Sequence, residues 1–348
     1  MTVVNIVGAR PQFIKAGPVS KALRQANIDE LLVHTGQHYD PIMSQRVMED
    51  IGLREPDINL GVGSGSHAVQ TGRMIEGVEG LLRGIEAAAV IVYGDTNSTI
   101  ASALAATKLH IPTAHVEAGL RSRNRRMPEE INRVVTDHVS EYLFAPTQTA
   151  MDNLTAEGLE GRSVLTGDVM FDAIRAVDID HVPTAQWATG AFYLATIHRA
   201  ENTDDPDLLG AIVESMSGLN DPVHLLAHPR LASRLAEFGI GSSGSLQIHE
   251  PLAYAEMIAT LQRSSGLFTD SGGLQKEAFM LRVPCVTLRT ETEWPETLEG
   301  GWNIVVAPGS ALGEVMQRPI SENQAKPFGD GRAAVRIVEH LSLALSEL

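Results

Sequence analysis

The residues able to do chemistry fall in short polar clusters, each directly after a β-rich run. Gly8, Arg10 and Lys15 follow Val3–Val7; Gly94, Asp95 and Asn97 follow Val90–Tyr93; Glu117, Gly119 and Arg121 follow Thr113–Val116. In the second half, His198 and Arg199 follow Phe192–Thr196, and His228 follows Val223–Ala227. Asp270 to Gly273 follow Leu267–Thr269, and Arg289 follows Cys285–Leu288. One polar residue at a strand end is routine. This many suits an active cleft, with cations for an anion and carboxylates for proton transfer.

The cations come first. Arg10 and Lys15 after Gly8 suit an anion at a strand end; a solvated helix face is the plainer use of such charges. The run DSGGLQKE, residues 270–277, is the strongest phosphate signal. Small residues at a helix start let backbone amides at Ser271, Gly272 and Gly273 approach an anion, and the helix dipole favours negative charge there. Glu277, further along the same helix, suits a ribose diol. A strand–turn–helix with an Asp or Ser cap explains the same letters. His198, followed at once by Arg199, suits a diphosphate.

Asp95, Glu117, Glu129 and Glu130 are the acids of the first half. In a dry cleft, desolvation and mutual repulsion raise a carboxylate toward neutral pKa, which suits it to take or give a proton. Each has a plainer role: Asp95 as the cap of an Ala-rich helix, Glu129 and Glu130 as first-turn helix acids after Met127-Pro128. Glu117 sits immediately after a buried-looking strand, where an unpaired carboxylate is costly.

These clusters require a scaffold that gathers strand ends. The chain has 348 residues, 43% hydrophobic and 20% charged, an ordinary globular composition long enough for two domains. Its formal net charge of −16 argues against nucleic acid or an anionic membrane as partner. A single cysteine, Cys285, excludes an intramolecular disulfide and Cys-rich metal centres. No apolar run approaches the ~18 residues that span a bilayer, and the start lacks a signal-peptide pattern. A soluble, cytoplasmic protein is expected.

The first half alternates strand and helix signals through Leu31–His34, Leu143–Ala145 and Val164–Thr166. A helix from Pro11 to Gln25 is expected to be interrupted at Gly17-Pro18. The alternation restarts near Ala191 and includes a strand at Leu246–Ile248. Repeated β–α alternation predicts parallel sheets covered by helices, hence an α/β protein of two doubly wound domains. The expected domains are residues 1–172 and 173–330, with a linker inside residues 172–186. Several alternatives lack their residues. There is no GxGxxG after the first strand, no GxxxxGK[ST], no HExxH and no GxSxG. His115 and Glu117 form an H-x-E without the PCxxC of a zinc deaminase. His224 and His228, four apart on a strand-like run, lack a third metal ligand.

Taken in order, GARPQFIKAGP, TGQHYD, YGDTNST, HVEAGLRS, MPEEINR, LFAPT, IHRAEN, TDSGGLQKEA and VPCVTLRTETEWPET closely resemble the non-hydrolysing UDP-N-acetylglucosamine 2-epimerases. The match runs collinearly from residue 1 to about residue 310. The resemblance implies two Rossmann-like domains facing a cleft in the GT-B manner. A C-terminal helix, residues 331–348, would return to the first domain. It implies interconversion of UDP-GlcNAc and UDP-ManNAc by elimination and re-addition of UDP, without cofactor or metal, in a homodimer. Asp95, Glu117 and Glu129 match the acid/base carboxylates and His198 the cleft histidine. Arg10, Lys15, Arg199, Ser271, Gly272, Gly273 and Glu277 match the UDP contacts, with His228 and Arg289 added as further substrate-side candidates. Two departures stand out. Gln37-His38-Tyr39-Asp40 lacks the Arg that many members carry there, and Trp294 stands where TERPE would have Arg. GARPQFIKA and TEWPET look closer to relatives acting on UDP-2,3-diacetamido-2,3-dideoxyglucuronic acid. A GT-B glycosyltransferase is the alternative from another class.

Overall fold

The computed structural model describes residues 2–37 and 47–346. The chain divides into two compact units, Met1–Val177 with Lys326–Leu348, and Asp178–Ala325.

In the first unit the strands are β1 (Thr2–Val7), β2 (Asp29–His34), β3 (Ile58–Asn59), β4 (Ala87–Tyr93), β5 (Thr113–Val116), β6 (Tyr142–Ala145) and β7 (Ser163–Leu165). The helices are α1 (Arg10–Gln25), α2 (His67–Leu82), α3 (Asn97–Lys108), α4 (Pro128–Val139), α5 (Gln148–Ala156) and α6 (Val169–Ala176). The sheet is parallel throughout, in the order β3-β2-β1-β4-β5-β6-β7. Strands covered on both faces read as continuous apolar runs, as Val90–Tyr93 does, and Val3–Val7 is buried throughout with only Asn5 polar. Val78 and Leu82 of α2 and Ala103 and Ala106 of α3 pack on Val4, Val33, Val90 and Val92.

The second unit repeats the plan with β8 (Tyr193–Thr196), β9 (Val223–Leu226), β10 (Leu246–His249), β11 (Gly266–Thr269), β12 (Cys285–Leu288) and β13 (Asn303–Val306). Its helices are α7 (Ala200–Thr203), α8 (Pro206–Ser217), α9 (Pro229–Glu237), α10 (Tyr254–Arg263) and α11 (Gly272–Met280). The order is β10-β9-β8-β11-β12-β13, again parallel. Leu209, Ile212 and Met216 of α8 seal one face against Leu225, Leu246 and Phe268. Trp187 stacks on His224 at 4.1 Å and on His249 at 4.5 Å. Burial and the neighbouring His249 push His224 down to about 4, so this ring pair, 2.8 Å apart at nitrogen, is neutral at pH 7. No group of three metal-ligating side chains exists among the described residues.

Three details differ from the sequence expectation. The helix α1 runs unbroken for 16 residues with Pro18 inside it. An internal proline costs roughly 3 kcal/mol. Buried Phe13, Val19 and Leu23 lie on the same helix, and burying such side chains contributes about 1.5–3 kcal/mol each. The crossing between units falls after Val177 rather than at residue 172, because α6 still packs on α1. The chain rejoins the first unit at Lys326, and α12 (Ala333–Ser346) packs on α1 and α6.

Asp172 of α6 fixes the start of α12, accepting from the amides of Ala333 and Ala334 at 3.1 and 2.9 Å. Asp172→Ala leaves those two amides without a carboxylate acceptor. It is expected to lower stability by about 1 kcal/mol, read as an earlier urea midpoint.

Candidate active site

A parallel sheet offers its ligand crevice at the carboxyl ends of strands, where the strand order reverses. In the first unit that point lies between β1 and β4; in the second it lies between β8 and β11. Most of the candidate residues leave from these strands or their neighbours.

At the first switch point the turn after β1 is held by Gln12. Its Oε1 accepts from the amides of Gly8 and Ala9 at 2.7 and 3.1 Å, and its Nε2 donates to the Tyr93 carbonyl at 2.8 Å. Gly8 is required there, because a Cβ would lie 2.0 Å from Ser98 Oγ and 2.2 Å from Thr35 Oγ1. Arg10 opens α1, half-buried, and Lys15 lies one turn on, buried. Lys15 Nζ donates to Glu117 Oε1 at 2.5 Å. Gly94 leaves room for that pair: a Cβ there would sit 3.0 Å from Lys15 Nζ and 3.4 Å from Glu117 Oε1.

Asp95 follows Gly94 and is ion-paired with Arg133 of α4. Arg133 also holds Glu130 at 3.0 Å. Glu129 and Glu130 thus separate. Glu130 is buried, accepting from the Ser122 and Arg123 amides at 2.8 and 2.9 Å and from the Ser122 hydroxyl. Glu129 remains half-exposed on the first turn of α4. The H-x-E histidine has a structural place: His115 binds Asp137 at 2.7 Å and the Gly94 carbonyl at 2.7 Å. Burial opposes the charge on Asp137, but His115 and Arg121 together hold its pKa below the usual range.

At the second switch point Asp270, which directly ends β11, organises everything around it. Its carboxylate, fully buried, accepts from the His198 amide at 3.1 Å, the Arg199 amide at 3.0 Å and Asn202 Nδ2 at 3.0 Å. It also meets His198 Nδ1 at 3.0 Å. Burial works against its charge, yet these donors hold its pKa below the ordinary value. With Nδ1 engaged, His198 presents Nε2 from a side chain that is 53% exposed. Arg199 Nε donates to the Asp270 carbonyl at 3.0 Å.

Ser271 caps α11, accepting from the Leu274 amide at 3.4 Å, and Gly272 and Gly273 form its first turn. Gly272 has a second reason to lack a side chain, since a Cβ would lie 2.4 Å from Glu293 Oε1. Glu277 is buried in α11. Arg289 is buried and paired with Glu293 at 2.7 Å, so its charge is already balanced. His228 stands exposed at the start of α9, one strand away from the β8–β11 switch point. Trp294 receives the buried Lys276 ammonium 3.7 Å above its ring. Gln37 is buried against the Ser98 amide at 2.9 Å, while His38, Tyr39 and Asp40 lie outside the described residues.

Arg133 and Asp137 lie outside the sequence-derived set, and Asp270 enters it only as the first residue of the phosphate run, with no role of its own. Arg133 lies four residues after Glu129, one helical turn on, and Asp270 abuts Ser271. Both stood inside the quoted motifs, but only the fold shows that they face Asp95 and His198.

Because the Asp270 pKa is lowered on folding, its stabilisation is present above the unfolded value near 3.8 and is lost as pH falls below it. Asp270→Asn is expected to destabilise by about 3 kcal/mol at pH 7. The difference in urea midpoint between variant and wild type should shrink between pH 4 and pH 3.

Comparison with known proteins follows this geometry. Residues 21–342 match the family model described as UDP-N-acetylglucosamine 2-epimerase. The UDP-2,3-diacetamido-2,3-dideoxy-D-glucuronate 2-epimerase of Pseudomonas aeruginosa is 45% identical over 98% of this chain and 99% of that protein. The crystal structure of Methanocaldococcus jannaschii UDP-GlcNAc 2-epimerase in complex with UDP-GlcNAc and UDP is 40% identical. It superposes with a TM-score of 0.91, over 99% of this chain and 100% of that one. Matched nearly end to end in sequence and in backbone, the chain belongs to the UDP-N-acetylglucosamine 2-epimerase family.

Proposed function

We propose that this epimerase interconverts UDP-GlcNAc and UDP-ManNAc by eliminating and re-adding UDP. The observation that carries the reading is the pair of ion-paired carboxylates, Lys15–Glu117 and Arg133–Asp95, on residues just beyond the adjacent strands β5 and β4. Direct exchange at C2 is chemically unfavourable, since no carbonyl acidifies that proton. Loss of UDP solves the problem. A base takes the C2 proton, the C1–O bond breaks, and a C1=C2 double bond forms as UDP departs. Protonation at C2 from the opposite face, with UDP oxygen re-attacking C1, completes the inversion. Atoms balance without a redox step, and no nicotinamide is required.

In this reading Asp95, Glu117 and Glu129 share the proton transfers. Lys15 and Arg133 position two of them. Arg10, Arg199 and the amides of Ser271 to Gly273 stabilise charge developing on the departing diphosphate. His198, oriented by Asp270, acts beside that diphosphate, and Glu277 binds the ribose. The first unit supplies the acid/base groups and Arg10, and the second the remaining nucleotide contacts. His228 and Arg289 take lesser parts, since one is exposed away from the switch point and the other is already paired. The protein works as a cytoplasmic homodimer; sedimentation equilibrium at the mass of two chains is the expected result.

A second reading, UDP-2,3-diacetamido-2,3-dideoxyglucuronic acid as substrate, is favoured by the TEWPET segment and by the 45% identity to the P. aeruginosa enzyme. Proton NMR in D2O separates the two. With UDP-GlcNAc alone, a UDP-ManNAc signal with deuterium at C2 is expected; silence there and exchange with the diacetamido substrate would shift the assignment. Asp95→Asn and Glu117→Gln are each expected to lower kcat by about 10²–10⁴. Near wild-type turnover in both would remove the acid/base assignment. Glu277→Ala is expected to weaken UDP binding by calorimetry.

A further inference from the structure

The switch-point residues leave one strongly basic feature of the first unit unused. Residues 121–126, RSRNRR, place four arginines in six positions of a chain whose net charge is −16. They help to line an open surface hollow of about 540 Å³, with Arg121, Arg123, Arg125, Glu130, His138 and Glu157 around it. That volume falls within the roughly 300–1,000 Å³ usual for small-molecule sites.

The wall is built by fixed backbone and by paired charge. Glu117 at φ 73°, Gly119 at φ 86° and Arg123 at φ 60° turn the chain between β5 and α4. Gly119 is obligatory, because a Cβ would meet the Ala150 carbonyl oxygen at 2.4 Å. Arg121 is saturated. Its Nε and Nη2 each donate to Glu157 at 2.7 Å, and its Nη1 donates to Asp137 Oδ2 at 2.7 Å. Glu130 is equally engaged, by Ser122, the Arg123 amide and Arg133. Both carboxylates on the hollow are therefore neutralised by other donors.

Two guanidinium groups remain. Arg123 Nη2 meets a neutral acceptor, Asn153 Oδ1, at 3.2 Å, and Arg125 is exposed with no ion pair among the described residues. Two forked guanidinium groups lining one polar hollow suit a phosphate group, whose oxygens accept bidentate bonds from arginine. A metal ion would be repelled, and an apolar ligand would strand the charges.

We infer that this hollow is an anion site for a phosphorylated small molecule, held by Arg123 and Arg125, apart from the groups assigned to the nucleotide sugar. The test is equilibrium dialysis of radiolabelled inorganic pyrophosphate against the full-length protein. Arg123→Ala combined with Arg125→Ala is expected to lose one bound equivalent per chain, with unchanged melting temperature and unchanged UDP affinity. Arg125→Glu, at an exposed position, is expected to weaken the same equivalent at least tenfold. Absence of pyrophosphate binding in the wild type, or the same stoichiometry and affinity in these variants, overturns the site. The result stands whichever UDP-sugar the enzyme uses, since the arginine variants alone decide where the pyrophosphate sits.

Discussion

Everything chemical in this molecule depends on a property of parallel sheets. All strand carboxyl ends lie on one edge, and a gap opens where consecutive connections run in opposite directions. From β1 the chain steps outward through β2 and β3, then returns to place β4 on the other side of β1. The connections leaving β1 and β4 diverge, and what fills the space between them decides the chemistry. The floor of that crevice is crowded, which is why Gly8 has no room for a methyl group against Ser98 and Thr35. Gln12 ties the two sides, binding the Gly8 amide and the Tyr93 carbonyl with one side chain. The second sheet repeats the order, and there Asp270 ties β11 to the turn after β8 through the His198 and Arg199 amides. A short amide in one unit and a short carboxylate in the other thus do the same mechanical task.

The buried charges follow from that geometry. A buried ion pair contributes little net stability, because the desolvation of both partners offsets much of their attraction, but removing one partner is costly. Lys15–Glu117 and His115–Asp137–Arg121–Glu157 are therefore better understood as positioning devices than as sources of stability. Glu117 shows the cost of placement. It holds φ at 73°, a conformation that costs a non-glycine residue about 1–2 kcal/mol. Its amide and that of Ala118 both donate to the Phe144 carbonyl at 3.1 Å, which fixes the turn against relaxation. Gly94, beside it, stays bare so that the carboxylate and the Lys15 ammonium can meet.

The sequence made the strands legible wherever burial on both faces wrote a continuous apolar run. It missed β3 because two residues, Ile58 and Asn59, are too few to show a period, and β13 because Asn303–Val306 follows the Gly300-Gly301-Trp302 turn without a break. The interruption expected at Gly17-Pro18 failed for the opposite reason: local propensity was clear, and tertiary burial overrode it. At the site, residues that end strands were visible because strand ends can be read from the chain. Their pairings were not. Arg133 reaches Asp95 from 38 positions away, and Asp270 reaches His198 from 72 positions away. Such pairings exist only once the sheet order is known. Glu129 and Glu130 carry the same letter and differ only in which side of α4 they occupy.

One scaffold order, used twice, carries two different sets of side chains. The second unit offers a helix start, an oriented histidine and an arginine, a set of donors suited to an anion. Nothing in that set distinguishes an epimerase from a transferase. The first unit does. A transferase needs at most one base to activate an acceptor, and a single carboxylate would serve. Here two carboxylates from adjacent strand ends are each held by a buried cation, and the bare Gly94 leaves room for the Lys15–Glu117 pair. Burying a cation against each of two carboxylates carries a desolvation cost. That cost makes sense under the proposed mechanism, which must both remove a proton from carbon and return one to the opposite face.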